Sequence, residues 1–243
     1  MSMSREQDEQ ELESVVTGAL KRWLGKARDA VLAPWRRYQL APSADGIYQV
    51  APDWKDEIDT ILTRIGQIST GAWSEATDVP PVSRHAFVMS TLAQTENLLV
   101  AIPDEVYHLV FAELIDGVNA GEDVPQLAER VERVLDWSGS PNWPGRAKLI
   151  AVTETTRAYG FGTLAAGMEM SRVTGRLLRK RWTTEGDPHV RMTHRAADRQ
   201  VRQLWEPFVV GDALLMMPAD PMGPPDEVCN CRCDLVIMNE ESR

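Results

Sequence analysis

Between Leu12 and Leu32 the apolar residues Leu12, Val15, Val16, Ala19, Leu20, Trp23, Leu24, Ala27, Val31 and Leu32 fall at three- and four-residue steps. That spacing lines them along one face of a helix with about 3.6 residues per turn. A chain that repeats this pattern over its first two thirds buries its apolar surface by packing helices together. Pro34 is expected to end the first helix, because proline lacks the N–H and crowds the preceding turn. "APSADGIYQVAP" then reads as a turn or linker, and helical spacing resumes with Ile58, Ile61, Leu62, Ile65 and Ile68 before "TDVPPVS" breaks it. Ser83 is the candidate N-cap of a helix running to about Leu99. "IPDEV" opens another, with acidic residues in its first turn where the helix dipole favours them. "EDVPQLAERVERVL" supplies one more, with Asp123 as cap and Pro125 in the first turn.

After the break at "SGSPNWPG", a long helical segment is expected from about Gly145 to Met170. Gly160, Gly162 and Gly167 each cost up to about 1 kcal/mol there relative to alanine, so another backbone is expected to approach closely. Glu154 falls on an otherwise apolar face, where a carboxylate needs a partner. The basic strand that follows offers one, which favours a structural salt bridge over acid catalysis. From Val173 the pattern changes. "RLLRKRWTT" is strand-like, "RQVRQLWEPFVV" a short strand or hairpin, "MMPADPMGPPDE" a proline-rich loop and "CRCDLVIM" a closing β-branched run. Trp182 and Trp205 read as core anchors. The predicted fold is a mainly α N-terminal region, residues 1–143, followed by a small α+β C-terminal domain, residues 144–243.

An apolar content of 43% over 243 residues can fill such cores. No apolar run reaches the roughly 18–20 residues needed to cross a bilayer, so no membrane association is expected. The polar, acidic "MSMSREQDEQELESVV" does not read as an export signal. Three clustered cysteines suit a reducing compartment better than a disulfide framework. Net charge is −10, yet residues 172–202 carry nine basic side chains against three acidic ones, a local +6 that leaves −16 on the rest. Arg179, Lys180, Arg181, Arg191, Arg195, Arg199 and Arg202 form the candidate basic patch, either a solvated face or a site for phosphates or an acidic partner.

Cys229, Cys231 and Cys233 alternate, and in a strand they would share one face with Leu235 and Ile237. A Cys-x-Cys pair can present two thiolates to a soft cation such as zinc, with His194 or His189 and nearby Asp187 or Asp198 as further ligands. The spacing matches neither a zinc ribbon nor a finger, and no His-x-Glu precedes a Pro-Cys-x-x-Cys as in zinc deaminases. Small buried cysteines packed in a core are the competing reading. His194 beside Asp198 could also serve as a general base. No nucleophile elbow, phosphate loop, His-Glu-x-x-His or dinucleotide fingerprint occurs.

"RAKLIAVTETTRAYGFGTLAAG", "KRWTTEGDPHVRMTHRAADRQV" and "EPFVVGDALLMMPADPMGPPDEVCNCRC" together resemble the C-terminal domain of phage Mu F-like minor head proteins. That family includes the head morphogenesis proteins similar to gene product 7 of phage SPP1. The resemblance rests on Ala147, Ile150, Thr153, Glu154, Ala158 and Gly162; on Lys180, Trp182, Asp187 and His194; on Phe208, Pro218, Asp220 and Pro221; and on Asn230, Cys231, Arg232 and Cys233. It departs from the family at Asp198-Arg199, where Asp-Gly is usual, and at the additional Cys229. The resemblance implies a non-enzymatic structural protein of a tailed double-stranded DNA phage, acting in procapsid assembly. Its implied partners are the portal protein, major capsid or scaffold proteins, and packaged DNA. Its implied location is the virion, in the capsid interior or at the portal vertex, after assembly in the host cytoplasm. The alternative is a small metal-assisted hydrolase or nuclease using His194, with Cys231 and Cys233 as metal ligands.

Overall fold

The structure is a computed structural model and describes residues 4–78, 92–93, 95–97, 99–138 and 142–239. In chain order the helices and strands are α1 (Arg5–Tyr38), α2 (Gly46–Ala76), α3 (Ile102–Asn119), α4 (Val124–Leu135), α5 (Asn142–Thr174), β1 (Leu178–Thr183), α6 (Met192–Ala197), β2 (Val201–Gln203), β3 (Phe208–Val210), β4 (Ala213–Leu215), α7 (Pro225–Val228) and β5 (Asp234–Asn239). A long helical N-terminal region thus precedes a C-terminal region with small antiparallel sheets, as the hydrophobic spacing predicts. The chain divides into two compact units, one formed by residues 14–62 and 96–148, the other by residues 1–13, 63–95 and 149–243.

In the first unit the stripe residues of α1 from Val16 to Leu32 are buried. Pro34 does not end that helix, which continues to Tyr38. Gln39 N closes the last turn on Trp35 O at 2.9 Å, and the returning chain supplies Ser43 N to Val31 O at 3.1 Å. Nor is "APSADGIYQVAP" a free linker, because α2 begins at Gly46 and runs through Pro52. A Cβ at Gly46 would lie 2.6 Å from the Ala30 carbonyl carbon, so the helix starts where the two backbones touch. Trp23 and Trp54 are fully enclosed, with ring centroids 5.6 Å apart. Their indole N–H groups donate to Val50 O (2.9 Å) and Leu99 O (2.8 Å), which satisfies the one polar atom each ring buries. Asp123 caps α4 in a reciprocal box with Gln126. Residues 92–93, 95–97 and 99 are helical, whereas Ser83, the expected cap, lies outside the described residues.

The second unit is organised by α5 and by β1, which pairs antiparallel with both β2 and β5. Leu178, Lys180 and Trp182 of β1 face inward while Arg179, Arg181 and Thr183 alternate on the other side. β3 and β4 form a separate hairpin whose turn holds Gly211 at φ 58°, so "RQVRQLWEPFVV" contributes to two sheets and not to one hairpin. Trp182, Phe208, Leu215, Met217, Val228, Cys231 and Cys233 make a continuous core, against which Phe161 and Leu164 of α5 pack. Trp205 is not part of it: it sits in the turn after β2 with 61% of its surface exposed. The short α6 lies in a polar stretch where spacing predicts no element, because six residues are too few for a helical period to register.

Gly160 and Gly162 of α5 mark close backbone approaches, as expected, whereas Gly167 meets only the Ile237 side chain and Gly145 open space. A Cβ at Gly162 would stand 2.5 Å from Ser69 O of α2, and one at Gly160 3.2 Å from Pro218 O. Backbone cannot swing aside as a flexible side chain can. Gly162→Ala is therefore expected to destabilise the protein by about 1–3 kcal/mol, read as a lower urea midpoint. Gly71→Ala in α2, with open space around it, should instead raise the midpoint by roughly 0.5–1 kcal/mol.

Candidate functional site

One stretch of α5, Thr153–Glu154–Thr155–Thr156–Arg157, is buried although every residue in it is polar. Burial of that kind is tolerable only if the groups are paired. Glu154 accepts from Thr95 Oγ1 at 2.7 Å and forms an ion pair with Arg157, one turn along the same helix. The partner is thus Arg157 and not the basic strand, a pairing available from the i,i+3 spacing alone. Arg157 Nε in turn donates to Ala219 O at 3.1 Å. Thr153 Oγ1 accepts from Asn230 N at 2.9 Å, and Thr156 Oγ1 donates to Cys231 O at 2.5 Å. Arg5 adds a donor to Thr156 Oγ1 (2.7 Å) and an ion pair with Asp234. The ridge therefore grips the two loops that carry Asp220 and the cysteines.

Each loop has its own internal brace. Asp220 accepts from Met216 N (2.6 Å) and Met222 N (3.0 Å), closing the proline-rich loop around Ala219 at φ 56°. Asn230 adopts φ 56°, a left-handed conformation that asparagine tolerates better than most residues. That kink separates Cys229, which follows α7, from the extended Cys231–Arg232–Cys233 run that leads into β5. The three cysteines consequently do not share a strand face. Cys231 and Cys233 are buried and continue inward through Leu235, whereas Cys229 is only partly covered.

His194, 1% exposed on α6, meets the cysteines from the other side. Its Nδ1 lies 3.3 Å from Cys233 Sγ and 3.7 Å from Cys231 Sγ. Its Nε2 lies 3.1 Å from Glu227 Oε2, which also accepts from Thr193 Oγ1 at 2.8 Å. A carboxylate only accepts, so Nε2 carries a proton, and Nδ1 is the nitrogen that faces the sulfurs. Trp182 packs edge-on against the imidazole, with centroids 5.5 Å apart. Between the two thiols, the hydrogen bond from Cys233 pulls Cys231 well below the ordinary thiol range, helped by His194, and the same bond together with burial pushes Cys233 up. A cleft runs over the cluster, lined also by Glu185, His189, Arg191 and Arg232.

The other sequence candidates go elsewhere. Asp198 accepts from Thr184 N and Oγ1 (2.9 and 3.1 Å), so His194 is paired with Glu227 and the cysteines. Asp187 accepts from Arg232 at 2.7 Å and from His189 N at 2.8 Å. Arg199 occupies the turn after Asp198 at φ 62°, so the left-handed turn is kept without the usual glycine. Of the basic stretch, Arg195 and Arg199 are exposed, Arg179, Arg181 and Arg202 are half-buried, and Arg191 donates to Cys229 O. Lys180 is fully buried, its Nζ donating to Met216 O at 2.8 Å and lying over the Phe208 ring. Glu227, Arg157 and Arg5 were not singled out by sequence reasoning. Only Arg157 offers a local signal, its spacing from Glu154.

These features define a small α+β module in which a polar helical ridge clamps a cysteine–histidine loop, preceded by long helices. The model of the family described as Phage Mu protein F like protein matches residues 109–236, more than half of the chain, and the chain belongs to that family. It is similar to the Minor head protein GP7 of Bacillus phage SPP1, with 26% identity over 134 residues. That alignment takes in 55% of this chain and 41% of the relative, so the chain spans less than half of that protein's length. No solved structure matches the chain.

Replacing Glu154 by Gln leaves the Arg157 guanidinium buried without its counter-charge, and a loss of about 3–5 kcal/mol is expected in chemical denaturation. For Lys180, burial lowers the ammonium to about 8 from an ordinary 10.5, while Asp220 and Glu206 pull upward. The folded state then binds fewer protons than the unfolded one between those values, so stability contributed at this position rises with pH across that window, by up to about 3 kcal/mol. The difference in unfolding free energy between wild type and Lys180→Met should show this slope between pH 8 and 10.5 and be flat below it.

Proposed function

We propose that this protein is a minor structural component of a tailed double-stranded DNA phage head, acting in head morphogenesis through association with the portal. The observation that carries this reading is the use made of residues on which the sequence resemblance rests. Glu154, Trp182, Asp187, Asp220 and Asn230 are all engaged in holding loops, sheet and core together. Such a module is suited to presenting a rigid surface, and a rigid surface is what ordered assembly requires. Residues 1–143 would supply contacts to portal, major capsid or scaffold protein. The C-terminal region from residue 144 would present Arg195 and Arg199 to an acidic portal surface or to packaged DNA. The protein would then reside in the virion, inside the capsid or at the portal vertex, after assembly in the host cytoplasm.

A second reading is favoured by one observation, the convergence of His194, Cys231 and Cys233 below a cleft. A metal-assisted hydrolase or nuclease would use that site and lose its turnover in His194→Ala. Against it, Asp187 and Asp198 are committed to Arg232 and Thr184.

Co-expression with the portal protein of its own phage is the test. The chain is expected to co-elute with portal oligomers in size-exclusion chromatography and to enter procapsids at low copy number. A complex that survives a rise from about 50 to 200 mM salt indicates protein contacts, because binding through several phosphates weakens steeply over that range. Procapsids that form normally and exclude the chain would overturn the proposal.

A further inference from the structure

Two thiols and an imidazole converge in the core of the C-terminal unit, from elements that reach the point separately. The ligand atoms of His194, Cys231 and Cys233 all lie within 4.8 Å of one another, and all three residues are buried. We propose that His194 Nδ1, Cys231 Sγ and Cys233 Sγ hold one zinc ion, with the fourth coordination position open to the cleft beside Glu185 and His189. This inference goes beyond the head-protein reading and is independent of it.

The distances fit the ion. Zinc bonds of about 2.3 Å to sulfur and 2.0–2.1 Å to nitrogen, at tetrahedral angles, separate S from N by roughly 3.6 Å. The observed separations are 3.3 and 3.7 Å. The histidine is already aimed as a ligand must be. Glu227 accepts its Nε2 proton at 3.1 Å and leaves Nδ1 as the nitrogen that faces the sulfurs, the carboxylate–histidine arrangement that orients metal-bound imidazoles. The cysteine backbone is pinned on either side, with Thr156 on Cys231 O, Thr153 on Asn230 N and Arg191 on Cys229 O. A metal site on so constrained a loop pays little to become ordered.

Donor chemistry selects zinc over other ions. Calcium and magnesium want oxygen ligands, and an iron–sulfur cluster normally wants four cysteines. Two thiolates with a neutral imidazole suit zinc, and two negative thiolates cancel its charge, which an enclosed position demands. A Cys231–Cys233 disulfide would close a loop of only one intervening residue and be strained. The ligands themselves line the cleft, so the fourth position faces outward toward Glu185, His189, Arg191 and Arg232. Water or a small anion is the expected fourth ligand.

The test uses the full chain, purified reduced, stripped with chelator and dialysed against zinc. Elemental analysis is expected to give one zinc per chain, lost in Cys231→Ser/Cys233→Ser. Competition against a chromophoric chelator reads affinity directly on the wild type, so the answer does not depend on that variant folding. Glu227→Gln should keep the stoichiometry and weaken zinc binding about 10–100-fold, an effect that simple core packing would not produce. Cobalt substitution should give thiolate-to-metal absorption whose visible bands move when azide is added, as an open fourth position requires. Reduced wild type that fails to compete with the chelator for zinc would overturn the proposal, and so would equal zinc uptake by a folded double variant. Bands indifferent to azide would overturn the open position. None of these failures touches the portal experiment.

Discussion

Glu154 and Arg157 lie one turn apart on α5 with almost no access to water, so each charge is tolerable only because the other is there. Their geometry sets much of what surrounds them. Arg157 donates from Nε to Ala219 O, which holds the proline-rich loop against the helix, and Glu154 spends its remaining oxygen on Thr95. On the same ridge Thr153 and Thr156 fasten the cysteine loop. Threonine is a mediocre helix former, and at positions 153 and 156 its hydroxyl meets the Asn230 N–H and the Cys231 carbonyl, whereas the Thr155 hydroxyl is buried without a hydrogen-bond partner among the described residues. The C-terminal region is therefore assembled on a polar seam inside an apolar core, which specifies one arrangement of loops where greasy packing alone would accept several.

How much of this was legible in the sequence depended on whether the signal was periodic. The stripe from Leu12 to Leu32, the cap at Asp123, the strand at β1 with Trp182 as a core anchor, and the close approach at Gly162 all follow from spacing or composition over a few residues. The misread points share a different cause. Pro34 and Pro52 sit inside helices that continue past them, and nothing local announces that. The cysteine face was misjudged because Asn230 turns left-handed and resets the alternation. Glu227 escaped notice because its pairing with His194 spans 33 residues and two short helices, a relation that only the folded chain creates.

Charge shows the same limit from another side. Counting Lys and Arg in a window assigned one face to side chains that the fold distributes over several. Lys180 is enclosed beneath Phe208, Arg191 braces the cysteine loop, and Arg232 neutralises Asp187. What reaches solvent is a smaller set headed by Arg195 and Arg199. Local net charge is a property of sequence, whereas a docking surface is a property of which side chains have been left over after the interior has taken its share.

Arg5 pairs with Asp234 across 229 residues and donates beside it to the Cys233 carbonyl and to Thr156. Arg5 thus completes its set of partners only after residues 233 and 234 exist. On a ribosome adding about 5–20 residues each second, the opening segment waits many seconds for its seat. Long-range closure of this sort is slow to form and late to reward its entropy cost. Its consequence is a unit that locks only when the strand after the cysteines has been synthesised, so that a truncated product would present an unlatched ridge and not a finished surface.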